Sequence, residues 1–180
     1  MEVIDVRTVA TRLATDLALM VGWSVVVGAT APRWPRAMVD HDHTVLRLTR
    51  WDTPQNYRRL PVAWLGRTVP DAGTWFGGRS KTRLAGSSPA ALTAYAVEAR
   101  RAELVHVLCA AVAVPLVTAE LRRSRSAALV VGLVAAAANV PCWLVVRRNR
   151  VRLASIEARR TGPVAHSGQR SGGRTRRAGG

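Results

Sequence analysis

The densest set of reactive side chains in the sequence is EARRAELVH, Glu98 to His106, which runs straight into the apolar stretch LCAAVAVPLVTA. At about 100° per residue on a helix, Glu98, Ala102, Glu103, His106 and Cys109 fall within an arc of about 140°, while Leu104, Val105, Val107 and Leu108 point the other way. One face is thus lipid-like, and the other offers small residues with two carboxylates and an imidazole. Glu103 and His106 are spaced i and i+3, close enough to hydrogen-bond. A carboxylate in that place orients an imidazole and raises its basicity, giving a base able to take a proton from a hydroxyl. Glu98, Glu103 and His106 are therefore the candidate reaction centre. The bland alternative has Glu98, Arg101 and Glu103 in interfacial ion pairs, with His106 satisfying a neighbouring helix.

Three apolar runs must position this segment. Leu13–Ala31 has 19 residues with only Asp16 charged and reads as a retained membrane helix or signal anchor. Leu104–Ala119 is short for a crossing, but Ser88-Pro89 supplies an N-cap and first-turn proline for a helix running from about Pro89 to Ala119. Its first half, in residues 89–119, is an amphipathic segment leading into the second span. Ala127–Val146 is 20 residues long with Asn139 as its strongly polar side chain, and is the clearest span. The expected fold is an all-α integral membrane protein of about three transmembrane helices, resident in the cell membrane. It comprises an N-terminal tail (1–12), spans at 13–31 and 127–146, a basic loop (32–88), a basic juxtamembrane segment (147–160) and a disordered Arg/Gly tail (161–180).

Charge orients the spans. The chain carries 27 Lys and Arg against 11 Asp and Glu, a formal charge of +16, and Lys81 is the single lysine. Twenty-two of these cations lie between residues 32 and 101 or after Val146. An external N-terminus with a cytoplasmic loop and tail follows from the positive-inside bias. Anionic membrane lipids are the expected partners of this charge, and six Trp against one Phe suit aromatic belts at a bilayer surface. The Arg/Gly tail has a composition that can bind RNA, but beside three apolar runs it is expected to hold the chain to anionic lipid, with no specific nucleic-acid site.

Further motifs narrow the chemistry. The adjacent Asp40, His41, Asp42 and His43 do not predict a metal site, because neighbours on an extended segment point to opposite faces and no third ligand cluster accompanies them. Cys109 and Cys142 both fall inside spans and define no disulfide framework. Asn139 requires a polar partner at membrane depth, and Pro141 leaves a backbone carbonyl without its donor nearby.

Together, EARRAELVH and NVPCWLVVRRNRVRL (Asn139 to Leu153) resemble the glycosyl-4,4'-diaponeurosporenoate acyltransferase family of carotenoid biosynthesis. The matching positions are Glu98, Arg100, Arg101, Ala102, Glu103, His106; Asn139, Pro141, Cys142; and Arg147, Asn149, Arg150, Arg152, Leu153. Upstream, WDTPQNYRRL (Trp51, Asp52, Tyr57) and VPDAGTWFGGRSK (Pro70, Asp71, Gly73, Phe76, Gly78, Lys81) resemble two more of its elements. The chain departs from the pattern at Val107, Val146 and Arg148. The resemblance implies transfer of a fatty acyl group, with acyl-CoA as co-substrate and no cofactor, to a sugar hydroxyl on a glycosylated carotenoid or related isoprenoid lipid. It would place the hydroxyl beside His106 and Glu103 at headgroup depth. Arg100, Arg101, Asn139, Arg147, Asn149 and Arg150 would be substrate-binding, the arginines through CoA phosphates. The alternative from another class is a non-catalytic scaffold or chaperone of a lipid-modifying complex.

Overall fold

A computed structural model describes residues 6–68 and 88–161. The expected disordered tail and the residues Pro70, Asp71, Gly73, Phe76, Gly78 and Lys81 lie outside the described residues. Among the described residues six α-helices follow one another: α1 (Val6–Thr30), α2 (Pro54–Arg59), α3 (Val62–Thr68), α4 (Pro89–Ala111), α5 (Ala113–Leu121) and α6 (Arg125–Thr161). No strand occurs among the described residues. Among the described residues three stretches are long and apolar enough to cross a membrane: Val6–Arg33, Pro89–Leu121 and Arg125–Arg160. The protein is therefore an all-helical chain of membrane type, as its hydropathy implies.

Local chemistry sets the helix ends. Ser88 caps α4 by accepting from the Ala91 amide at 3.2 Å, with Pro89 in the first turn, where its missing N–H costs nothing. Thr53 caps α2 in the same way, accepting from the Asn56 amide at 3.2 Å. Pro61 forces the preceding Leu60 into an extended conformation and stops α2 there.

The second membrane segment differs from the continuous helix expected for residues 89–119. It breaks at Val112 into α4 and α5. The reason is Pro115, which has no N–H for the Ala111 carbonyl and crowds the preceding turn. Pro141, by contrast, sits inside an unbroken 37-residue α6. Two residues before it, Asn139 donates from Nδ2 to the Ala135 carbonyl at 3.0 Å, so this buried amide finds its partner within its own helix.

Helices α4 and α5 both pack on α6, and α1 lies against α4 and α6. One apolar cluster, Met20, Ala113, Val131 and Ala135, joins the three membrane segments at mid-depth. A second, Tyr57, Val62, Val145 and Val151, fastens α2 and α3 to the membrane-exit end of α6. Gly66 lies over the same valine: a Cβ there would meet Val145 Cγ1 at 3.7 Å, an ordinary van der Waals contact. The indole of Trp23 adds a cross-tie, donating to the Leu108 carbonyl at 2.9 Å and linking α1 to α4.

The far end of the bundle is also held by charge. Glu120, 2% exposed, lies 3.5 Å from both Arg12 of α1 and Arg123 beyond α5. It stands roughly 25 Å along the α4–α5 axis from Glu103, at 1.5 Å per residue, about the thickness of a bilayer core.

Val62 is wholly buried where α3 meets α6. Val62→Ala removes two methyl groups from that junction and should cost about 2 kcal/mol, read as a lower thermal midpoint in detergent micelles with helix content unchanged.

Candidate functional site

The site forms where α4 and α6 converge at the polar end of their apolar stretches. Glu103 of α4 is completely buried, and its carboxylate is gripped from both sides: Oε1 accepts from Arg147 Nη1 and Oε2 from Arg150 Nη1. Arg147 and Arg150 are themselves 4% and 5% exposed. The i, i+3 spacing of these arginines puts both guanidinium groups on one face of α6, so a single carboxylate can lie between them.

Residues 42–52 close over this triad from the α1–α2 connection. A turn in which the Leu46 and Arg47 amides donate to the His43 carbonyl, at 2.8 and 2.9 Å, brings the Leu46 and Arg47 carbonyls to the guanidinium groups. Arg147 Nη1 donates to Leu46 O at 3.2 Å and Nη2 to Arg47 O at 2.5 Å. Asp52 completes its coordination in bidentate fashion, accepting from Nε at 3.1 Å and Nη2 at 3.0 Å. The five N–H donors of Arg147 are thereby each engaged. Trp143, one turn earlier on α6, lies under the guanidinium with its ring centroid 5.4 Å from Cζ, a cation–π contact.

Arg150 donates to Leu46 O at 2.6 Å and to Asp42 Oδ1 at 2.7 Å. Asp42 Oδ1 also accepts from Arg100 Nε at 2.6 Å, which brings α4 into the same network. Asp52 is held by Tyr57 Oη at 2.8 Å, by the Thr49 amide at 2.6 Å and by the Thr49 hydroxyl at 2.9 Å. Burial acts to raise the Asp52 carboxyl, but the bonds from Arg147, Thr49 and Tyr57 outweigh it and hold the group well below the usual carboxylate range. The Tyr57 hydroxyl is pushed above its ordinary value, first by burial and then by its bond to the Asp52 carboxylate.

The expected site residues fall into three groups. Glu103, Arg147 and Arg150 meet in the buried centre. Glu98, Arg100 and Arg101 lie on its rim, with Arg101 Nη1 donating to Glu98 Oε1 at 2.5 Å and Arg100 on Asp42. His106 lies one turn deeper than Glu103 on α4, half-buried, and both it and Asn149 are engaged by surrounding groups. Asn139 is two turns deeper on α6 than Arg147 and bonds its own helix rather than the charged centre. From the sequence Asp52 and Tyr57 stand out only as matching a family element and Asp42 only within the rejected metal motif, although two arginines on one helical face opposite one glutamate require more anions than Glu103 supplies.

The HDH stretch divides. Asp42 turns into the network, while the exposed Asp40 carboxylate accepts from His41 Nδ1 at 2.5 Å. Among the described residues no group of three or more His, Cys, Asp or Glu could hold a metal ion.

A buried ionic centre at the polar end of the apolar stretches of three membrane-length helices, roofed by a short polar segment, defines a helical membrane protein. The model of the glycosyl-4,4'-diaponeurosporenoate acyltransferase family matches residues 42–159, and the chain belongs to that family. The matched span begins at Asp42 and includes every residue of the ionic centre. Comparison with curated proteins and with solved structures gave no match.

Two outcomes follow. Glu103→Gln keeps the shape but strands two buried cations, which should cost about 3–5 kcal/mol in thermal or denaturant unfolding. Asp52, with its folded value depressed, contributes stability that is complete above its unfolded value of about 3.9 and lost as pH falls through the lower folded value. The gap in thermal midpoint between the native chain and Asp52→Asn should therefore hold steady from neutral pH to about pH 5 and narrow below about pH 4. A gap independent of pH would show that Asp52 is not held as a carboxylate.

Proposed function

We propose that this protein is a membrane acyltransferase that esterifies a sugar hydroxyl of a glycosylated carotenoid or related lipid with a fatty acyl group from an acyl-CoA-type thioester. The observation that carries this reading is the family match across residues 42–159, which spans the roof, α4 and the polar end of α6 together. Family membership supplies the reaction class. The placement of the charged residues suggests how this chain divides the work.

In this reading His106 is the general base. It stands at the border of the apolar segment, where a sugar hydroxyl arrives if the polyene and acyl chains remain in lipid. The imidazole takes the hydroxyl proton as the oxygen attacks the thioester carbonyl. The C–O bond forms, the C–S bond breaks, and the proton passes from the imidazolium to the departing thiolate. Glu103, with both oxygens committed to Arg147 and Arg150, serves as a positioning residue that fixes the turn of α4 carrying His106.

Arg147 and Arg150 then brace the site, their charge balanced within the protein. Donor phosphates fall to Arg100 and Arg101, whose side chains retain 21% and 15% exposure on the rim. Asn149 and Glu98 complete that rim, and Asn139 shapes the apolar side.

Ester formation in proteoliposomes supplied with acyl-CoA and a glycosyl carotenoid tests the assignment. His106→Ala should lower kcat by about 10²–10⁴-fold, the range for loss of a general base. Arg100→Ala should raise KM for acyl-CoA with little change in kcat. Unchanged kcat in His106→Ala removes this residue from the chemistry, and an inert native chain returns the reading to a scaffold of a lipid-modifying complex.

A further inference from the structure

The roof over the ionic centre has an outer surface that the acyl-transfer reading leaves unused. On α3, Val62 is buried against α6, whereas Ala63, Trp64, Arg67 and Thr68 are exposed. Trp64 is 57% exposed, and Leu60, just before the helix, is 44% exposed. At helical spacing Ala63, Trp64 and Arg67 share one side of α3, opposite the side that holds Val62. The neighbouring exposed cations are Arg58 and Arg59 at the end of α2 and Arg67 on α3 itself, and residues 54–68 contain no Asp or Glu.

The level of this surface is set by its packing. Val62 and Gly66 lie on Val145, the penultimate residue of the apolar run of α6, and the charged stretch begins two residues later at Arg147. Thus α3 crosses α6 where hydrocarbon gives way to headgroups. A tryptophan with a leucine and three arginines, facing outward at that depth, has the chemistry of an interfacial anchor. The indole suits the boundary, and the guanidinium groups suit lipid phosphates.

We infer that α3 is an interfacial membrane helix whose Leu60, Ala63, Trp64 and Arg67 face docks into the headgroup layer of an anionic leaflet, making the roof a fourth membrane contact. Arg58 and Arg59 pair with lipid phosphate beside it. The inference rests on the membrane character of the three long helices and not on the acyl-transfer chemistry, so either can fail without the other. Its consequence is positional: a roof seated in the headgroups holds the Glu103 centre at a fixed depth.

The test uses the full chain carrying Ala63→Cys and a nitroxide label, reconstituted in phosphatidylcholine vesicles with and without phosphatidylglycerol. Signal from Cys109 and Cys142 is subtracted using the unsubstituted chain. The label should be more accessible to oxygen than to a water-soluble nickel chelate, with chelate accessibility reduced several-fold relative to free label. Phosphatidylglycerol should deepen it, and the combined Arg58→Ala and Arg67→Ala substitutions should abolish that response. Chelate accessibility equal to that of free label overturns the inference, as does a label shielded from both reagents, which would mean that a protein surface covers α3. Absence of any response to phosphatidylglycerol rejects the anionic-lipid assignment.

Discussion

A single carboxylate, that of Glu103, holds the polar end of this molecule together. It is completely buried, and it lies between two guanidinium groups that are themselves almost completely buried. Desolvating three charges is costly, and their mutual attraction offsets that cost only where geometry is good and every remaining donor is used. The chain meets this demand with backbone and side chains from residues 42–52, which supply two carbonyls and two carboxylates to the same cations. The roof is therefore a requirement of the ionic centre as much as a cover for it.

Several features then follow from one constraint. The turn at 43–47 exists to aim carbonyls at Arg147 and Arg150, and Leu46, fully buried, seals it. Tyr57 holds Asp52, and the cluster of Tyr57 with Val62, Val145 and Val151 ties α2 and α3 to α6. Each link orders the next, so the register between α4 and α6 is fixed at this end by charge. At the other end Glu120 between Arg12 and Arg123 pins α1 to α5, and apolar packing fills the distance between. A membrane bundle gains little from the hydrophobic effect between its helices, which makes such polar pins and small-residue contacts the natural determinants of register.

This arrangement bears on how a reaction at a lipid interface could be organised. Ion pairs hold the turn of α4 that carries His106, while the partly exposed rim arginines, Arg100 and Arg101, reach solvent. The proposed transfer to a lipid-borne hydroxyl would use a base at headgroup depth and cations slightly further out, the order in which His106, Glu103 and Arg100 follow one another along α4. The arginines expected from the sequence to grasp substrate divide accordingly: those on α6 are absorbed by the protein, and those on α4 remain at the edge.

The sequence by itself marked the spans, because its three runs of mainly apolar residues expose more hydrocarbon than a soluble surface carries, and it marked the start of α4, because Ser88-Pro89 acts through local geometry. It also marked the stretch from Glu98 to His106 as the place where ionisable groups meet the membrane. Partner choice was decided only by the tertiary structure. Glu103 lies three residues from His106 and more than forty from Arg147, yet both its oxygens accept from guanidinium groups of α6, because a buried anion is stabilised most by full charges with several donors each. Asp42 and Asp52 likewise take their role from cations about a hundred residues away, a pairing that no local pattern announces. Nor does a proline by itself fix a helix end: Pro115 accompanies the break at Val112, whereas Pro141 lies inside an unbroken α6.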